Sequence, residues 1–177
     1  MEYSIQKLET DEEWTEVSKL AKEIWTEHYT SLIGPAQTEY MISVFQSAER
    51  IKKDINENEY SYFAVYDKGS QKQIGYLALR PEEAGVFISK IYVLKAYRQK
   101  GIATEMIKYS LNFAKEKIQS KKTGSDSGRD DNLYLRLTVN KGNSGSIEFY
   151  KKVGFEISEE SVTDIGNGYY MNDYVMT

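Results

Sequence analysis

Apolar residues recur along the chain in two different periods. Trp14, Val17, Leu20, Ala21 and Ile24 return at helical spacing with Glu and Lys between them, so 11–29 reads as an amphipathic helix. Thr10 and Asp11, with Glu13 close behind, supply its start, and Gly34-Pro35 breaks the pattern afterwards. A short strand, 3–8, precedes it. A second helix is expected from Thr38 to about Asn56, with Tyr40, Met41, Val44 and Phe45 as its apolar face. From Tyr60 the period shortens. Residues 60–67 (YSYFAVYD), 73–80 (QIGYLALR) and 85–94 (GVFISKIYVL) are rich in Tyr, Val, Ile and Phe and are separated by short turns, which predicts an antiparallel meander.

Helical spacing returns in Ile102, Ala103, Met106, Ile107, Leu111, Ala114 and Ile118. The polar, Gly/Ser-rich 121–131 (KKTGSDSGRDD) is expected to be an exposed loop, and the lysines around 115–122 an exposed helix end. Then 133–140 is a strand, 144–153 a helix, and 155–160 and 169–176 the last strands. No internal repeat or Pro-rich linker is visible. The layout predicts one α+β (mixed α/β) domain over 1–177, with helices first, then a meander, then a strand–helix–strand unit around residue 101.

Composition narrows the function. Of 177 residues 40% are hydrophobic and 28% charged, as expected of a folded soluble globule. The net charge of −4 argues against a nucleic-acid partner, whose footprint would be basic, and is compatible with a cationic substrate. With no cysteine, disulfides, thiolate metal sites and cysteine nucleophiles are excluded. The N-terminal residues lack a secretory pattern, and no apolar run approaches the ~20 residues that span a bilayer. A cytoplasmic protein without a membrane partner is expected.

The chemistry-bearing stretch is 91–104, where an apolar strand ends, a tight polar turn follows and a helix starts. Free backbone N–H groups and the positive dipole end make such a turn a natural anion site. Gly101 lets the backbone approach a ligand, Ala103 is the next smallest choice, and Thr104 offers a hydroxyl. Lys95, Arg98 and Lys100 add positive charge. Neither the P-loop spacing nor that of a dinucleotide fold occurs. Instead Arg98, Gln99, Lys100, Gly101, Ile102 and Ala103 match [QR]-x-x-G-x-[GA] after an apolar strand ending Ile91-Tyr92-Val93. On its own the pattern also suits an ordinary strand-to-helix turn.

Downstream, 137–155 reads as strand, loop, N-cap, short helix and glycine stop. Asn143 is a good N-cap, Gly154 suits the left-handed position past a helix end, and Phe155 can fold back on Phe149 or Tyr150. Asn143, Ser146, Tyr150, Gly154 and Phe155 also match N-x-x-[AS]-x-x-x-Y-x-x-x-G-F. With the first motif, this resembles the GNAT superfamily of N-acetyltransferases, specifically over 86–155. The overall plan and the stretch 40–55 are similar to bacterial polyamine acetyltransferases of the PaiA type.

The resemblance implies a GNAT fold, a mostly antiparallel, twisted seven-stranded sheet flanked by helices. It implies acetyl-CoA as cosubstrate, an amine acceptor, no metal, and a homodimer as a common assembly. Ile91, Tyr92 and Val93 would offer strand backbone to the pantetheine arm, and the amides of 98–104 (Arg98, Gln99, Lys100, Gly101, Ile102, Ala103, Thr104) would hold the pyrophosphate. Asn143 would contact the coenzyme arm, and Tyr150 would stand near its sulfur as general acid. Tyrosine, pKa about 10, can protonate a thiolate whose thiol is near ~8.5. A packing role for Tyr150, at Ile147, Tyr150, Val153 spacing, is the plainer reading of its position. The oxyanion would meet a strand N–H near 91–93. Some family members place a glutamate on the strand before the cradle; here Ser89 and Lys90 stand there, and the base is unassigned. His28, the single histidine, is a candidate beside the acceptor, against the commoner surface or packing role. Glu82 and Glu83 are expected to be solvated.

Three functions fit these features. The first is an acetyl-CoA-dependent N-acetyltransferase of a primary amine, such as a polyamine or other small amine. The others are an acetyltransferase of protein N-termini or lysines, and a non-catalytic CoA-binding module. A plain interaction domain would make both motifs accidental.

Overall fold

Thr10 starts the first long helix through a full capping box. Its hydroxyl accepts from the Glu13 amide at 3.3 Å, while the Glu13 carboxylate accepts from the Thr10 amide at 2.9 Å. In the computed structural model, which describes residues 2–121 and 133–177, this helix, α1, spans Asp11–Ile33 after strand β1, Tyr3–Lys7. It runs beyond the expected end at 29 because the breaker is Gly34, whose φ of 82° favours glycine, with Pro35 opening the next helix. The expected second helix over 38–56 is two helices, α2 (Pro35–Phe45) and α3 (Ala48–Glu57). Ser47 caps α3 by accepting from the Arg50 amide at 3.2 Å, so the chain restarts rather than continues.

The meander follows as expected: β2 (Ser61–Asp67), β3 (Gln73–Pro81) and β4 (Gly85–Val93). Next come α4 (Ile102–Lys121), β5 (Tyr134–Asn140), α5 (Ser144–Lys152), β6 (Ile157–Gly166) and β7 (Tyr169–Met176). The loop expected at 121–131 lies outside the described residues from 122 onward, as does the Ile118 side chain. Strand β6 begins later and ends later than the expected 155–160. Its partner strand follows directly after Asn167-Gly168, both at positive φ, the backbone of a two-residue hairpin turn.

The seven strands are ordered β1-β2-β3-β4-β5-β7-β6. β4 and β5 run parallel, and β1 with β2, β2 with β3, β5 with β7 and β6 with β7 run antiparallel. This mostly antiparallel sheet flanked by helices is the expected α+β fold. Within it the described residues form two compact units. The first is residues 2–80 with Ser89–Ile107; the second is Pro81–Ile88 with the described residues from Lys108 on.

The first unit buries Val17, Ala21, Ile51, Val65 and Leu77 completely. Polar side chains join its helices to its strands. Tyr62 donates to the Asp54 carboxylate at 2.8 Å, and Arg50 holds the other oxygen at 2.7 Å. Tyr76 donates to Gln46 Oε1 at 3.1 Å, and the buried Lys90 ammonium donates to the Phe45 carbonyl at 3.0 Å. The α2–α3 junction is therefore bonded to β3 and β4 from both sides. In the second unit Glu82 is not the solvated residue expected: it pairs with Arg136 and accepts from Tyr134 at 3.1 Å. Arg136 in turn lies 4.3 Å over the Phe87 ring. Glu83 is exposed, as expected. Among the described residues no helix is long and apolar enough to cross a membrane.

Candidate coenzyme site

Strand β4 ends with Val93 and Leu94 buried, and the Leu94 amide still donates to Ile74 O at 2.9 Å. A single 3-10 turn, Lys95–Tyr97, then lifts the chain off the sheet. Arg98 returns to extended backbone, and Gln99 (φ 60°) and Gly101 (φ 80°) both enter the left-handed region. A side chain at Gly101 would meet no neighbouring atom within 4 Å, so the glycine answers to backbone conformation and leaves open space above it. Ile102, 2% exposed, seats the first turn of α4 in the core. The first helical bond is accepted by the Gly101 carbonyl, from Glu105 at 3.2 Å. Among the described residues no acceptor takes the amides of Gln99, Lys100, Gly101, Ile102, Ala103 or Thr104. Six consecutive amide donors at the positive end of a 20-residue helix are an arrangement that can hold an anion.

The cationic side chains of the turn hold its shape. Arg98 Nε donates to the Val93 carbonyl at 3.0 Å, and its Nη1 lies 3.3 Å from His28 Nδ1. Lys100 donates to Ala96 O at 3.0 Å with its ammonium 5.0 Å over the Tyr97 ring. Lys95 lies 3.9 Å from Glu27. His28 thus sits on α1, short of its end, and reaches the turn. Tyr92 turns its ring into an aromatic cluster, stacked on Tyr76 at 5.1 Å and tilted against Trp25 at 5.7 Å, which itself stacks on Tyr29 at 4.1 Å.

The second unit holds the other motif. Asn143, 6% exposed, is the N-cap of α5: its side-chain oxygen accepts from the Ser146 amide at 3.4 Å. Its own amide donates to Asn140 O at 2.9 Å. Tyr150, 8% exposed, is on the inner face of α5. Gly154 turns left-handed (φ 105°), and the Phe155 amide closes on Tyr150 O at 3.0 Å, with the two rings edge to face at 5.9 Å. Of the two partners expected for Phe155, it is Tyr150.

Two titratable residues outside the motifs stand out. Burial pushes the Lys90 amine down to about 8, Asp54 nearby opposing that shift. Its signal is legible, since Val86, Ile88 and Lys90 alternate as buried positions of β4. Burial likewise lifts the Asp173 carboxyl to about 6 against the pull of Lys141. Nothing in the pattern of β7 marks that residue. Among the described residues no cluster of His, Asp and Glu could hold a metal ion.

The strand–turn–helix nest, the capped α5 and the strand order together define a class, and sequence comparison agrees with it. The acetyltransferase (GNAT) domain model matches residues 58–157, and the chain belongs to that family. It is 38% identical over 72 residues to the probable N-acetyltransferase san of Drosophila melanogaster, covering 41% of this chain and 33% of the other. The chain spans about a third of the length of the curated relatives it matches, 33% and 37%. Among solved structures, the fold is similar to the PaiA N-acetyltransferase of Thermoplasma acidophilum in complex with coenzyme A. That match has a TM-score of 0.75 and 20% identity, covering 99% and 98% of the two chains. It is also similar to a spermidine N-acetyltransferase SpeG chimera from Vibrio cholerae and hSSAT, with a TM-score of 0.64, 19% identity and coverage of 99% and 94%.

Proposed function

We propose that the chain, acting as one domain, transfers the acetyl group of acetyl-CoA directly to a primary amine, a polyamine or another small amine. The observation that carries the reading is the run of amides over 99–104 at the start of α4 that meet no acceptor among the described residues, which suits a pyrophosphate. Family membership supports acetyl-CoA as its source, and the spermidine-acetylating structural neighbour supports the acceptor class. The backbone of Ile91, Tyr92 and Val93 takes the pantetheine arm, and a strand N–H there meets the oxyanion. Asn143, whose oxygen is committed to its helix cap, offers its amide protons to the coenzyme arm.

An amine of pKa near ~10.4 must lose its proton before attack on the thioester carbonyl. Collapse of the tetrahedral intermediate breaks the C–S bond, Tyr150 protonates the departing thiolate, and the proton shed by the new amide nitrogen leaves to solvent, from which the Tyr150 phenolate is reprotonated. No cysteine is present to form an acyl-enzyme, in keeping with direct transfer.

The test is coenzyme A thiol release with spermidine, spermine, simple monoamines and short peptides as acceptors. Turnover with polyamines exceeding that with peptides is expected; turnover with peptides alone would move the reading to a protein acetyltransferase. Tyr150→Phe is expected to lower kcat by about 10²-fold or more, on the scale of general-acid catalysis, with little change in coenzyme affinity. Unchanged kcat would remove the acid role.

A further inference from the structure

We propose that His28 is a positioning residue of the coenzyme site, holding Arg98 so that the turn over 98–101 keeps its anion-binding shape. This inference rests on the reading of 99–104 as a pyrophosphate nest.

The geometry is a three-part brace within the first unit. Arg98 is the residue at which the chain leaves the 3-10 turn, just before the left-handed Gln99. Its side chain folds back so that Nε donates to the carbonyl of Val93, the last residue of β4, at 3.0 Å. That bond ties the turn to the strand it left. The second bond ties it to α1, with Nη1 3.3 Å from His28 Nδ1. The remaining guanidinium N–H donors have no acceptor among the described residues and are left for an anion.

A guanidinium has donors only, so Nδ1 must present its lone pair and the ring proton must sit on Nε2. An imidazolium would turn an N–H toward a like charge and lose the bond. The ring is fixed in this pose by its edge-to-face contact with Tyr29 at 4.8 Å, and Tyr29 stacks on the buried Trp25. The brace therefore leads from the core of α1 to the turn. With Nδ1 committed to Arg98, that nitrogen does not serve as the base that deprotonates the acceptor.

Replacing His28 tests the acceptor atom separately from the ring. His28→Asn keeps a side-chain oxygen close to the place of Nδ1, and His28→Phe keeps the ring and its packing but removes the acceptor. Acetyl-CoA affinity is measured by titration calorimetry on the full chain, with circular dichroism as the check on folding. His28→Phe is expected to weaken binding about tenfold or more, and His28→Asn to stay within about threefold of the parent chain. In steady state, His28→Phe is expected to raise KM for acetyl-CoA while kcat at saturating coenzyme stays within about twofold. In an Arg98→Met background, His28→Phe is expected to have no further effect, because its partner is gone.

Equal binding by His28→Phe and the parent overturns the proposal, as do equal losses in the Asn and Phe variants or additive losses with Arg98→Met. A collapse of kcat with KM unchanged would replace it with a catalytic role. Should His28→Phe fail to fold, the Asn variant and the Arg98→Met pair carry the test alone: loss of affinity in His28→Asn equal to that in Arg98→Met overturns it. Failure of the parent chain to bind acetyl-CoA overturns the coenzyme reading itself, and this proposal with it.

Discussion

Asp173 has one carboxyl oxygen that is buried and without a hydrogen-bond partner among the described residues. The Lys141 ammonium opposes the effect of burial, but it is itself 2.6 Å from Glu160. Burial therefore lifts the Asp173 pKa from 3.8 to about 6. A carboxyl whose folded pKa lies above its unfolded value binds its proton more tightly in the native state. Its ionised form costs stability in full above pH 6, and the cost fades as pH falls from 6 to 4. A shift of this size corresponds to ~3 kcal/mol, reduced to about 1–2 kcal/mol for a carboxyl that keeps some solvent. Asp173→Asn is accordingly expected to raise stability by that amount at pH 7.5 and to change it little below pH 4. Urea unfolding at the two pH values measures this, and an equal gain at both would rule out ionisation as the cause. Residue identity alone does not reveal such a site. Aspartate in a strand of Tyr and Asn looks solvated until β5 and β6 are laid on either side, opposite Asn140 and Ser161. Lys90 is the contrasting case, because its place in the buried alternation of β4 is visible in the sequence.

At the scale of elements, the break between α2 and α3 is where sequence reading and structure part. Ser47 is a readable helix cap, yet the apolar positions on either side keep a helical period, and a single helix over 38–56 satisfies them. Two distant strand side chains decide the matter. Lys90 takes the Phe45 carbonyl, which a continuous helix would give to the amide four residues on, and Tyr76 holds the Gln46 side chain beside it. Tyr76→Phe leaves the buried Gln46 oxygen without that donor and is expected to cost about 1–3 kcal/mol of stability. Equilibrium urea unfolding checks it; a cost below a few tenths of a kcal/mol would mean the junction holds without this bond. By contrast, α5 is almost wholly legible. Its cap, its inner face and its glycine stop are all local, from Asn143 to the closing Phe155 amide on Tyr150.

For the whole molecule, the coenzyme reading makes a thermodynamic demand. A ligand that binds only the folded chain stabilises it by about 2.7 kcal/mol at a hundred times Kd. For a chain of 177 residues that is a melting-temperature rise of roughly 5–10 °C, at about 2–4 °C per kcal/mol. Scanning fluorimetry with saturating acetyl-CoA measures it, and no shift would reject the nest as a coenzyme site. The order of strands also belongs to this scale. The sequence places strands near β5, β6 and β7, but their ladder runs β5-β7-β6, and only the tertiary pairing of β5 with β7, from Leu137 opposite Met176 to Asn140 opposite Asp173, shows it.

By itself the sequence determined the elements with local causes. Period, caps and glycine stops are set by residues within a turn or two of one another, and so the motifs over 91–104 and 143–155 and the family they indicate could be read directly. Tertiary structure alone decided what depends on groups far apart in the chain. It divided α2 from α3, gave Glu82 to Arg136, left Asp173 short of a partner, and brought His28 against Arg98. The reason is physical. A side chain's hydrogen-bond partner and its loss of water are fixed only when distant segments pack together, and no periodicity along one segment records who its neighbour will be.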